Sequence, residues 1–178
     1  MENASLLIAF FSHAGQNYVN GDIVDLPVGN TDVAAQKLAA ITGARLVRIE
    51  QRGTYPAEYH ALTEVAKKEL KAGARPTLKT ALPDMAAVRY LFLGYPNWWG
   101  TMPMPVWTFF EALPTAGKKI APFCTNEGSG MGRSKKDLRK LCPEAEVLPG
   151  LAITGHKVSE ADALLRAWAG RILPEGDL

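Results

Sequence analysis

The feature that most constrains this chain is an alternation of short, nearly continuous apolar runs with longer stretches of helical periodicity. Strands that are buried on both faces read as unbroken apolar runs, and the segments between them cover the two faces of a parallel sheet. Residues 5–11, 88–95, 119–124 and 148–153 are such runs, and residues 44–49 alternate as a further strand. Between them, the spacing predicts helices over 33–42, 57–72, 105–113, 134–141 and 159–173. Thr31 or Asn30 is expected to cap the first helix, with Gly43 as its stop, and Gly73 closes the second. Pro105 falls in a first turn, where its missing N–H costs little. Ser159 is expected to cap the last helix, which carries Ala163, Leu164, Ala167, Trp168 and Ile172 at helical spacing. Five strands alternating with helices define an α/β, doubly wound fold, with 88–95 as a central strand.

A chain of 178 residues can bury one substantial core and is short for two domains, so residues 1–178 are expected to form a single domain. One segment breaks the pattern. Residues 18–28 stand where a short strand-to-helix connection belongs. Asn20-Gly21 is a strong turn signal there, so the segment reads as a small hairpin or an excursion over the site.

In an open parallel sheet, ligands bind outside the carboxyl ends of the strands. Three loops at such ends have unusual composition. The first is Ser12-His13-Ala14-Gly15-Gln16-Asn17, which rejoins the chain through Gly29-Asn30-Thr31. Small residues let backbone N–H groups approach an anion, and hydroxyl and amide side chains complete its hydrogen bonds. The loop contains no lysine, and the chain lacks both GxxxxGK[ST] and GxGxxG, which disfavours a P-loop nucleotide or a Rossmann dinucleotide. The bland alternative is a polar turn before a capped helix. The second loop is Gly94-Tyr95-Pro96-Asn97-Trp98-Trp99-Gly100-Thr101. Two adjacent tryptophans cannot both turn into one core, so at least one should offer a flat face to a planar ligand. The alternative is packing under a loop or at a dimer contact. The third loop, Thr125-Asn126-Glu127-Gly128-Ser129-Gly130-Met131-Gly132, allows close backbone approach and offers polar groups to a ring edge.

Taken together, the three loops resemble the flavodoxin-like FMN-binding family, in particular its bacterial flavodoxin subfamily, across nearly the whole chain. The family's phosphate loop, usually Ser/Thr-x-Thr-Gly-Asn-Thr, looks split here: residues 12–17 supply its opening and Gly29-Asn30-Thr31 its close. Gly94-Tyr95-Pro96-Asn97-Trp98-Trp99-Gly100 with Met102-Pro103 resembles the ring-binding loop. The third loop matches too, although members often carry His at the place of Asn126. The resemblance implies a three-layer sandwich on a five-stranded parallel sheet of order 2-1-3-4-5, with FMN held non-covalently at its carboxyl edge. It places the phosphate on Ser12, His13, Ala14, Gln16, Asn17, Asn30 and Thr31. It places the isoalloxazine ring against Pro96, Asn97, Trp98, Trp99 and Gly100 and against Thr125, Asn126, Gly128, Ser129 and Gly130.

Three functions stay open at this point. The first is an electron-transfer flavoprotein. The second is an NAD(P)H-dependent FMN oxidoreductase of the quinone reductase type, and the third a flavin-free binding domain on the same fold. Dedicated carriers of the family tend to be strongly acidic, whereas this chain has a formal net charge of +2, which weakens the first reading. The intact set of loops weakens the third. The expected partners are a redox protein or a small-molecule electron donor or acceptor, with the chain acting as a monomer or homodimer. Nucleic acid is not expected, because Lys67-Lys68 and Lys135-Lys136 read as solvated helix faces. A membrane is not expected either, since no run approaches the ~20 apolar residues of a spanning helix. The N-terminus does not read as a signal peptide, and Cys124 and Cys142 form neither a redox pair nor a metal spacing, so a cytoplasmic location with reduced thiols is expected. No residue is assigned as acid, base or metal ligand. The His13 backbone N–H is a better ligand than its ring, and His60 and His156 read as isolated residues, either surface groups or satisfied loop groups. Tyr55, Tyr59 and Glu127 are placed to line the flavin opening, and Cys124 reads as a buried small hydrophobe.

Overall fold

The structure is a computed structural model that describes residues 3–174. In chain order its strands are β1 (Asn3–Phe10), β2 (Gly15–Val19), β3 (Asp22–Leu26), β4 (Ala44–Arg48), β5 (Tyr90–Pro96), β6 (Lys119–Asn126), β7 (Glu146–Val147) and β8 (Leu151–Thr154). The helices are α1 (Asn30–Thr42), α2 (Tyr59–Ala72), α3 (Met104–Ala112), α4 (Ser134–Leu141) and α5 (Asp162–Ile172). The main sheet is parallel and runs β4-β1-β5-β6, with β7 and β8 both pairing along β6. Counting β7 and β8 as one interrupted strand, this is the expected 2-1-3-4-5 order.

The interruption corrects the strand expected over 148–153. Pro149 cannot donate to a ladder. A side chain on Gly150 would come within 2.6 Å of the Met131 sulfur. The freed Pro149 carbonyl instead accepts the Trp168 indole N–H at 3.0 Å.

Period-2 alternation along β1 sends Leu6, Ile8 and Phe10 to one face and Leu7, Ala9 and Phe11 to the other. On the first face they meet Ala34, Ala35 and Leu38 of α1 and Leu165, Trp168 and Ala169 of α5. On the second they meet Val106, Phe109 and Phe110 of α3 and Leu138 of α4. The result is a three-layer sandwich. Trp168 stands edge-on to Phe92 and Phe123, with ring centroids 5.5 and 6.1 Å away.

Two expected caps are not the caps. α1 starts at Asn30, three residues before the expected 33–42 span, and its N-cap is Gly29 rather than Thr31 or Asn30. Gly29 contributes no side chain, and the Ser12 hydroxyl accepts the Asp32 N–H from across the site at 3.1 Å. Ser159 lies within a 3₁₀ turn, Gly155–Glu160, and the cap of α5 is Ala161.

Residues 18–28 do form a hairpin. β2 and β3 are antiparallel, and Asn20 and Gly21 have φ of 47° and 102°, the paired positive angles of a two-residue turn with the twist that hairpins require. β2 begins at Gly15, so the expected polar loop over 12–17 is half loop and half strand. The hairpin leans on α2, where the Gln16 side-chain oxygen accepts the Tyr59 N–H at 2.9 Å. Glu58 caps α2 by accepting from the His60 and Ala61 N–H groups. Leu62 and Ala66 are the buried residues of that helix. Among the described residues, no helix is long and apolar enough to cross a membrane.

Candidate functional site

The carboxyl ends of β1, β5 and β6 lie side by side, and the three loops leaving them surround a cavity of about 530 Å³. That volume falls within the roughly 300–1,000 Å³ usual for small-molecule and cofactor sites.

The first wall is polar. Gly29 passes so close to the first loop that a Cβ on it would lie 2.3 Å from Ser12 Oγ and 2.5 Å from the His13 carbonyl oxygen. This contact seats the start of α1 against residues 12 and 13. The Asn30 and Thr31 N–H groups, which begin the helix, have no acceptor among the described residues. Both residues line the cavity with Ser12, His13 and Asn17. Asn17 is held by its side-chain NH₂, which donates to the carbonyls of His13 and Gly15 at 3.2 and 3.0 Å. Deeper in, the Thr31 and Thr125 hydroxyls meet at 2.7 Å, joining the helix start to the end of β6. His13 Nε2 is buried without a partner, and burial pulls the pKa of its imidazole below the ordinary value.

The second wall is aromatic. Trp98 and Thr101 exchange backbone hydrogen bonds at 3.0 and 3.2 Å around a turn in which Trp99 and Gly100 have φ of 55° and 83°. Asn97 organises this turn: its side-chain oxygen accepts the Gly100 N–H and its NH₂ donates to the Gly130 carbonyl, both at 2.8 Å. Trp98 is half-buried and fixed edge-on against Phe11 and Tyr55, at centroid distances of 5.2 and 5.0 Å. Tyr55 donates its hydroxyl to Glu69 at 2.7 Å. Trp99 is 45% exposed, yet its indole N–H donates to the Thr63 carbonyl at 2.8 Å and the Lys67 ammonium sits 4.9 Å over its ring. The tryptophan pair therefore divides its work, one ring buttressed from below and the other latched to α2.

The third wall is the Gly-rich loop. The Asn126 side-chain oxygen accepts the Gly128 and Gly130 N–H groups at 2.9 and 3.0 Å, and its NH₂ donates to the Ile153 carbonyl at 3.3 Å. Glu127 accepts the His156 N–H at 2.8 Å, contacts its Nδ1 at 2.7 Å, and also accepts the Asn20 N–H of the hairpin turn at 3.4 Å. His156 is thus a satisfied loop group, the second of its two sequence readings, and is not isolated.

Of the residues anticipated for the site, Ser12, His13, Asn17, Asn30, Thr31, Pro96, Asn97, Trp98, Trp99, Thr125, Asn126 and Ser129 line the cavity. Ala14, Gln16, Gly100, Gly128 and Gly130 do not. The hairpin carries Gln16 away to the start of α2, and the three glycines supply the positive φ that their loops turn on. Tyr59 and Glu127 do line the opening, whereas Tyr55 lies behind Trp98. The unanticipated wall is Tyr18 from the hairpin, Leu62, Thr63 and Ala66 from α2, and Gly155. Leu62 and Ala66 are apolar residues four apart on one stripe of an amphipathic helix, a signal that marks a covered face without saying what it covers.

Chemically, the site joins an anion-seeking end to a flat apolar slot. The anion end presents free helix-start N–H groups and hydroxyls, with the positive end of the α1 dipole behind them. Among the described residues no lysine or arginine lines it. An FMN phosphate fits those donors.

A doubly wound parallel sheet with such a site at its carboxyl edge defines a nucleotide-binding or flavin-binding α/β protein. The flavodoxin family profile matches residues 26–172, and the chain belongs to that family. The match begins where the hairpin ends. A candidate flavoprotein from Bacteroides eggerthii is 28% identical over 94% of this chain and 97% of its own, with a TM-score of 0.71. A candidate flavoprotein from Bacteroides uniformis is 23% identical over 93% and 97%, with a TM-score of 0.73. A Lactobacillus acidophilus flavoprotein, solved in complex with FMN, shares the fold at 16% identity over 88% and 97%, with a TM-score of 0.63. No curated protein matches the chain.

Proposed function

We propose that this chain binds FMN non-covalently and transfers electrons through it. The observation that carries the reading is the convergence of three loops, from β1, β5 and β6, on one cavity in a member of the flavodoxin family. The FMN-bound relative from Lactobacillus acidophilus supports the choice of cofactor. The split phosphate loop is part of the proposal: residues 12–17 and 29–31 act as one anion site although the hairpin separates them in sequence.

In this reading the Asn30 and Thr31 N–H groups and the Ser12 hydroxyl hold the phosphate. Trp98 and Trp99 flank the ring from the β5 loop, and Asn126 sets the third loop along its edge. Leu62 and Ala66 exclude water from the α2 side. FMN, when bound, supplies one- and two-electron redox chemistry. The protein sets access and potential, because an apolar, aromatic cover disfavours charge on the reduced ring.

The purified chain should be yellow or should become so on addition of FMN. A colourless preparation that takes up no FMN contradicts the reading.

A second reading, an NAD(P)H-dependent FMN oxidoreductase of the quinone reductase type, is favoured by the slightly basic charge and by the exposed face of Trp99 at the cavity rim. Anaerobic mixing of NADH or NADPH with the FMN-loaded chain separates the two. Rapid loss of flavin absorbance supports the oxidoreductase, and its absence supports the electron carrier. The partners are a redox protein or a small-molecule donor or acceptor. A cytoplasmic location accords with the two buried, unpaired thiols Cys124 and Cys142.

A further inference from the structure

The helix start that forms the anion end of the cavity carries an acid in its first turn. Asp32 is the third residue of α1 and is only 8% exposed, and its own N–H bonds to Ser12 of the anion loop. A full negative charge at that position opposes the about +0.5 elementary charge of a helix N-terminus. Left alone it would repel the phosphate that the Asn30 and Thr31 N–H groups are placed to accept. It is not left alone. Arg48, at the carboxyl end of β4, forms an ion pair with one carboxylate oxygen, and Gln36 donates to the other at 3.3 Å. The guanidinium also lies 5.0 Å over the Phe10 ring, which fixes it at the α1 face of the sheet. Neither Asp32 nor Arg48 lines the cavity.

We propose that Arg48 is a positioning residue for flavin choice: by neutralising Asp32 it lets a lysine-free site prefer a phosphorylated flavin over an unphosphorylated one. The inference rests on the FMN reading above. Asp32 has a reason to be present, because α1 lacks a capping side chain and an acid in its first turn stabilises the helix start. Arginine stays charged at any relevant pH, so the neutralisation is constant. A purely structural ion pair would affect all flavins alike. A pair that sets the charge near the phosphate changes FMN and leaves riboflavin, which lacks it.

The test is fluorescence titration of the flavin-free chain with FMN and, separately, with riboflavin. Arg48→Met keeps an apolar stem and removes the charge. It should weaken FMN about tenfold, equivalent to the upper range of a helix-terminus charge effect. Riboflavin should change by less than about twofold, because its ribityl chain ends in a neutral hydroxyl and brings no charge to the anion end. Adding Asp32→Asn to Arg48→Met should return FMN to within about threefold of the parent. Asp32→Asn alone, which serves if Arg48→Met does not fold, should raise the FMN-to-riboflavin preference. Equal losses for both flavins, no change in either, no rescue in the double variant, or an unchanged preference in Asp32→Asn would each overturn the proposal. A parent chain that binds neither flavin overturns the FMN reading instead.

Discussion

The hydroxyls of Thr31 and Thr125 meet 2.7 Å apart in the interior, tying the first turn of α1 to the last residues of β6. The two residues are 94 positions apart in sequence, and both line the cavity. Thr125→Val keeps the shape and strands the Thr31 hydroxyl, which should cost about 1–3 kcal/mol in urea denaturation. Replacing both with valine should recover most of that stability, because no polar group is then left unpaired. FMN affinity should stay reduced in the double variant if these hydroxyls hold the anion end in register.

Gly29 makes a different prediction. Its φ of −67° is open to any residue, so Gly29→Ala adds no backbone strain. The added Cβ would instead collide with Ser12 and His13. Separating α1 from the first loop should cost about 1–3 kcal/mol, the usual range for overpacking. In an equilibrium titration it should weaken FMN by about tenfold or more, since a shift of even 1 Å breaks the donor geometry. Undiminished affinity would show that the loop and helix start do not act together.

Trp99 holds a backbone conformation that bulky residues rarely adopt, with φ of 55°. Trp99→Gly relieves about 1–2 kcal/mol of strain and forfeits the indole's contacts with Thr63 and Lys67. Thermal stability is expected to change little. Flavin affinity and the quenching of flavin fluorescence should both fall. A large loss of stability with normal quenching would mean that Trp99 serves the fold alone.

His13 links the stability of the fold to pH. Burial lowers its pKa in the folded chain below the ordinary 6.5 that it regains on unfolding. Below that value the unfolded chain binds more protons than the folded one, so stability rises with pH through this range. The contribution is fully present above about 6.5 and is lost as pH falls toward the depressed folded value. Urea denaturation of the flavin-free chain at pH 5.5 and 7.5 should show this difference, and His13→Gln should reduce it.

What the sequence made legible follows from how local each signal is. The parallel sheet was readable because β1, β5 and β6 are continuous apolar runs, and the hairpin because Asn20-Gly21 selects one turn geometry. α4 was readable to the residue. The stops Gly43 and Gly73 were readable too, but the N-caps of α1 and α5 were not, because Gly29 and Ala161 cap without side-chain bonds, and the Asp32 N–H is satisfied by Ser12 across the site. Gln16 was misplaced for a related reason. Its neighbours resemble a phosphate loop, but the strand pairing of Gly15–Val19 turns its side chain to the start of α2. The α2 wall stayed hidden because Leu62 and Ala66 read as an ordinary amphipathic face until the helix is placed over the cavity. The Asp32–Arg48 pair joins α1 to β4, and no spacing rule connects them.

The most direct test of the central claim is a crystal structure of this chain with FMN. The expected result places the phosphate within hydrogen-bonding distance of the Asn30 and Thr31 N–H groups and the Ser12 hydroxyl. It places the isoalloxazine ring between the Trp98-Trp99 turn and the loop that follows β6. A flavin bound elsewhere, or seated with its phosphate away from the start of α1, would contradict the claim.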